Sequence, residues 1–133
     1  MDRCLEGRPR CLGAAHLSAV AGWAVAMIGR GSGSTPSGDD LLVGWLAGLP
    51  RQLRRGLPAH RALANRLIAT CRLSRRFLHN ALAGCFHLAF ARLASPDVVP
   101  GAAHPLARAL AEQGDRSGHA SLAGCLAGLY QGA

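Results

Sequence analysis

A chain of 133 residues has room for one domain with a single core. Half of it is apolar, but Phe, Trp and Tyr number only three, two and one, too few for the aromatic-rich core of a β-sandwich or barrel. The formal charge of +8 rests on fifteen basic residues, all of them Arg; they are scattered, lack interleaved aromatic residues and carry no zinc-finger or RNA-binding signature, so their expected neighbours are solvent or an acidic protein rather than nucleic acid.

Ala and Leu dominate and favour helix, which makes the expected class all-α, a single helical domain over residues 1–133. Residues 1–12 read as a ragged basic start. Arg3, Arg8 and Arg10 precede the apolar run Cys11–Ile28, in which Ala24-Val25-Ala26 is similar to a signal-peptidase site. The run contains His16 and Ser18 and barely reaches spanning length, so a packed helix over 14–28 is expected, without a membrane span. The Gly- and Ser-rich stretch 29–38 cannot be regular structure. A second helix is predicted over 37–49, ended by Pro50, and a third over 59–71 after Pro58. A long fourth helix over 74–94, apolar around most of its circumference, is expected to be central. A fifth covers 103–112 and a sixth 118–130, for a compact bundle of about six helices.

Cysteines stand at 4, 11, 71, 85 and 125, an odd count without a Cys-x-x-Cys pair. Cys71, Cys85 and Cys125 fall in apolar helical patterns, where a thiol behaves as a small hydrophobe, and the usage points to a reducing, cytoplasmic compartment.

Segments 37–49 and 117–129 echo each other at an offset of 80 residues, with eight of thirteen positions identical, including Ser37/Ser117, Gly38/Gly118, Gly44/Gly124 and Gly48/Gly128. Glycine inside a helix costs about 1 kcal/mol of propensity. Close approach of another helix backbone would offset that, so the two glycine ridges are expected to pack against each other or against one common helix.

The loop Gly31–Asp40 is the strongest chemical feature. A Gly-rich loop entering a helix aims backbone N–H groups at the positive end of the helix dipole and is suited to an anion. Ser32, Ser34, Thr35 and Ser37 add hydroxyls; Thr35 or Ser37 is the expected N-cap, with Asp40 closing a capping box in the second case. Asp39 and Asp40 point about a hundred degrees apart on a helix, so one could act as a base or bind Mg²⁺ while the other caps. No Lys is present, which excludes a Walker loop. His119 follows the echoed Ser117-Gly118 and is a candidate for the same pocket. His79 and His87 are too far apart on one helix to share a metal.

Gly31-x-Gly33-x-Thr35-Pro36-Ser37-Gly38-Asp39-Asp40 closely resembles the signature of the AllH-type subunit of oxamate carbamoyltransferase. Ser74-x-x-x-Leu78-x-x-Ala81-x-x-Gly84 resembles the middle helix of that family, and Gly114-x-x-Ser117-Gly118 with Leu122-x-Gly124 resembles its closing motif. Ser34 departs from the pattern, which usually has Leu there. The resemblance covers residues 14–130 and implies the C-terminal half of a family member. It further implies a cytoplasmic subunit of a hetero-oligomer of purine or allantoin breakdown, moving a carbamoyl group between carbamoyl phosphate and oxamate and not active alone. The anion-binding residues implied are Gly31, Gly33, Thr35, Ser37, Gly38, Ser74, Ser117, Gly118 and His119. Asp39 and Asp40 are the catalytic candidates, and Asp40 is the candidate for a Mg²⁺ ion. The alternative is a non-enzymatic helical module whose Arg faces dock an acidic partner.

Overall fold

The structure, a computed structural model, describes residues 14–32, 34–50, 54, 59–95, 100–112 and 116–132. The expected basic start at 1–12 and Gly33 lie outside the described residues. The helices are α1 (Ala14–Met27), α2 (Ser37–Gly48), α3 (Ala59–Arg66, running into a 3₁₀ turn at Leu67–Ala69), α4 (Arg72–Leu82), α5 (Leu88–Leu93), α6 (Pro100–Ala111) and α7 (Ser117–Gly132). Among the described residues there is no strand, and no helix is long and apolar enough to cross a membrane.

The two echoed helices, α2 and α7, pack directly on each other. A Cβ on Gly44 would overlap the carbonyl oxygen of Ser121, and one on Gly48 that of Cys125. Reciprocally, a Cβ on Gly124 would overlap the carbonyl of Leu41, and one on Gly128 that of Trp45. Residue pairs 44/121 and 48/125 advance together, so the helices run parallel. Pairs 124/41 and 128/45 are their images under the 80-residue offset, so the contact is self-complementary, like the interface of a two-fold dimer built within one chain. Parallel packing has a second consequence: the N-termini of α2 and α7 come together at one end of the pair.

Core formation follows from this pair. On one side of α2, Leu42, Trp45, Leu46 and Leu49 are buried with Ala24 and Ile28 of the α1 segment, Leu63, Leu67, Leu78 and Ala81. Trp23 meets Trp45 edge-on, with ring centroids 5.6 Å apart. On the other side, Ala47 joins Phe90, Leu93, Leu110 and Cys125. The helix shared by both clusters is α2, not the helix expected to be central.

The predicted fourth helix, 74–94, is in fact two. Gly84 adopts φ +83, and its N–H bonds Ala81 O while the N–H of Cys85 bonds Asn80 O. This glycine closure ends α4, because only a residue without a Cβ enters that backbone region without strain. His87 then starts α5, its Nδ1 accepting the N–H of Ala89 at 3.2 Å. α4 itself is amphipathic: Leu78 and Ala81 are buried while Leu73 and Phe77 face outward. Cys71 and Cys85 are likewise exposed rather than buried, and only Cys125 behaves as a core residue.

Candidate functional site

The Gly-rich turn between α1 and α2 is held by backbone. Gly29 and Gly31 take φ values of +77 and +108. The N–H of Gly38 bonds Arg30 O at 2.8 Å, and a Cβ at Gly38 would overlap Met27 O. A Cβ at Gly31 would lie 2.7 Å from the nitrogen of Ser37. Asp39, 1 % exposed, accepts the N–H of Gly29 at 2.8 Å and the hydroxyl of Thr70. Gly31, Ser37, Gly38 and Asp39 therefore form the turn itself and are not among the lining residues of the cleft beside Thr35.

The expected cap is replaced. Pro36 occupies the N-cap position without a side-chain hydrogen bond, and its carbonyl accepts the N–H of Asp39 at 3.0 Å and of Asp40 at 3.2 Å. Backbone acceptors thus take the N–H groups of Gly38, Asp39 and Asp40.

That frees the hydroxyl of Thr35 for another contact. Thr35 Oγ1 donates to Asp40 Oδ2 at 3.0 Å and lies 3.0 Å from Ser117 Oγ, a residue 82 positions later. The parallel pairing of α2 and α7 creates this meeting. Thr35, Asp40, Ser117 and Gly118 form one wall of a cleft of about 580 Å³. Phe77, Phe86 and Phe90, which are all the Phe residues of the chain, form an aromatic wall of the cleft beside Asn80, Cys85 and His87. Arg54 stacks over the Phe86 ring at 4.8 Å and donates to Leu46 O at 2.9 Å, bracing this wall against α2.

Asp40 is 8 % exposed. Burial pushes its carboxyl above the ordinary value of 3.8; hydrogen bonds from Ser117 and Thr35 pull it back, and the charge of Asp39 adds to the rise. A carboxyl with a raised folded-state pKa holds its proton more tightly when folded. The stability this gives is complete below the unfolded value and is lost as pH rises through the folded one. Ionised Asp40 therefore costs stability at pH 7. Asp40→Asn is expected to melt above wild type at pH 7, with the gap closing as pH falls toward 3.8. Melting curves across that range check the sign, and a variant less stable than wild type at pH 7 would contradict it.

Ser74, 1 % exposed, sits behind the cleft rather than in it, and its Oγ has no hydrogen-bond partner. It lies beside Cys71, the N-cap residue of α4, whose thiol contacts Ser34 O at 3.5 Å. The nearby Ser74 hydroxyl, with the Ser74 and Leu73 N–H groups at the start of α4, lowers the Cys71 thiol pKa. Burial raises that of Cys125 to about 11. His119 is exposed and does not line the cleft.

The structure thus brings Thr35, Asp40, Ser117 and Gly118 together and leaves His119 and Ser74 outside. The aromatic wall was not anticipated. Its one sequence signal is the confinement of all three Phe residues to positions 77–90. Asp40 contributes a single carboxylate to the cleft, and among the described residues no three His, Cys, Asp or Glu side chains stand together as a metal cluster would.

The structure is an all-α helical domain carrying a cleft lined by polar and aromatic side chains. Residues 27–129 match the family model of the oxamate carbamoyltransferase subunit AllH, and the chain belongs to that family. Comparisons with curated proteins and with solved structures give no match.

Proposed function

We propose that this chain is the ligand-holding subunit of a carbamoyl-transferring complex. In this reading, the cleft between the α2 and α7 N-termini and the Phe wall takes carbamoyl phosphate or oxamate. The observation that carries it is the meeting of Thr35, Asp40 and Ser117, drawn from two distant segments, inside a cleft of a chain whose family bears that activity.

The anionic end of the ligand sits at the start of α7. The first N–H groups of any helix lack intrahelical acceptors, and the helix dipole favours negative charge there. Gly118 on the cleft wall lets a ligand approach that backbone closely. In the transfer, the amide nitrogen of oxamate forms a bond to the carbamoyl carbon, the carbon–oxygen bond to phosphate breaks, and phosphate leaves. The nitrogen sheds a proton, and in this reading Asp40 accepts it. Burial that raises its carboxyl toward neutral pH suits it to that role. Partner subunits complete the machinery, so binding belongs to this chain and turnover to the complex.

Titration calorimetry tests the reading. The full chain should bind carbamoyl phosphate and oxamate, and Thr35→Val with Ser117→Ala should weaken both by about tenfold or more. Binding unchanged in that double variant would refute it.

A docking face on the same chain is favoured by one further observation. Ile68, 79 % exposed, lies in a depression bordered by Arg72, Arg75, Arg76 and His79. An apolar residue beside three arginines suits an acidic partner subunit.

A further inference from the structure

We infer that Asp40, with Thr35 and Ser117, is a specificity determinant that reads the amino group of the ligand: the cluster accepts N–H bonds from a carbamoyl or primary amide group and rejects a carboxylate in the same place. The inference rests on the ligand class proposed above.

The argument is a count of protons. The cluster holds one carboxylate and two hydroxyls. Thr35 gives its only hydroxyl proton to Asp40 Oδ2. Ser117 Oγ lies 3.0 Å from Thr35 Oγ1. With the Thr35 proton committed, Ser117 must be the donor in that contact. Both hydroxyl protons therefore turn inward. What faces the cleft is the remaining lone pairs of two hydroxyls and a carboxylate with negative charge.

Such a wall has no proton to offer an anion and repels one. It is complementary to an N–H₂ group, which brings two donors and no charge. Donors for an anion stand elsewhere in the cleft lining, at the Ser121 hydroxyl on α7 and the Asn80 amide on α4. A ligand matched to both has an amino group at one end and an anionic group at the other. Oxamate has this pattern; oxalate, its near-isostere, carries a second carboxylate where oxamate has the amide.

Calorimetry of the full chain with oxamate and with oxalate decides the matter. Wild type is expected to prefer oxamate by about 10- to 100-fold, the range of a charged hydrogen bond plus the avoided repulsion. Asp40→Asn replaces the charge with a donor and should erase or reverse the preference. Ser117→Ala keeps the charge and should weaken oxamate while leaving oxalate the poorer ligand, which gives a second readout if Asp40→Asn fails to fold by circular dichroism. Equal affinity for both ligands in wild type overturns the inference, as does a preference for oxamate that survives in folded Asp40→Asn; in either case the site still binds small anions. If neither ligand binds wild type, the proposed ligand class has failed and this inference falls with it.

Discussion

Gly44→Ala and Gly124→Ala are each expected to destabilise the protein by about 3 kcal/mol, a large share of the 5–15 kcal/mol that holds a domain of this size together. Each new methyl group would overlap a backbone carbonyl oxygen, of Ser121 in one case and of Leu41 in the other. A flexible side chain could move aside, but a helical carbonyl cannot without shifting its helix. The α2 and α7 axes must separate, and the loss runs along the whole contact. Ala gains about 1 kcal/mol of helix propensity over Gly, which is too little to compensate. Gly22→Ala is the matched control: it lies inside α1 with nothing within 4 Å of its added Cβ, so it should gain about 0.5–1 kcal/mol. The double variant Gly44→Ala/Gly124→Ala should lose less than the sum of the singles, because the first methyl already opens the interface for the second. Urea denaturation measures all four. Stability of Gly44→Ala at or above wild type would show that the helices do not approach this closely.

Asp39→Ala is expected to cost about 3 kcal/mol, through a different mechanism. Its carboxylate is buried and accepts from Gly29 N–H and from the Thr70 hydroxyl. Removing it leaves two donors without an acceptor, and the desolvation of an unpaired donor costs more than the hydrogen bond itself contributes. The variant also loosens the turn that carries Thr35, so oxamate binding should weaken although Asp39 does not line the cleft. Thr70→Val, which removes one donor and leaves Asp39 with Gly29, should cost only about 1 kcal/mol. The contrast between the two variants separates the role of the carboxylate from that of the hydroxyl. If Asp39→Ala melts together with wild type, the tie between the α1–α2 turn and Thr70 contributes nothing.

The adjacent carboxylates show how far a sequence can be read. Asp39-Asp40 stood out as a pair, and the two carboxylates meet different partners. Which carboxylate met which partner depended on Thr70, 31 residues further on, and on Ser117, 82 residues from Thr35. Neither distance leaves a local trace. The capping box failed for a related reason: the Pro36 carbonyl and the Arg30 carbonyl reach the first-turn N–H groups before any side chain does. The break at Gly84 was missed because an isolated glycine in an apolar helical pattern is often tolerated, and only the backbone closure at 80–85 shows that it ends the helix.

By itself the sequence determined the helical class, since composition leaves no material for a sheet core, and it narrowed the two echoed helices to packing on each other or on one common helix. Gly44, Gly48, Gly124 and Gly128 recur at matched positions, and four helix-weakening residues in register need a close neighbour to offset them. Only the tertiary structure decided that the two helices run parallel. That direction brings two N-termini to one end and sets Thr35 and Ser117 in contact beside Asp40. The hydrogen-bonding character of a hydroxyl is set by the partner it meets and not by its position in the chain.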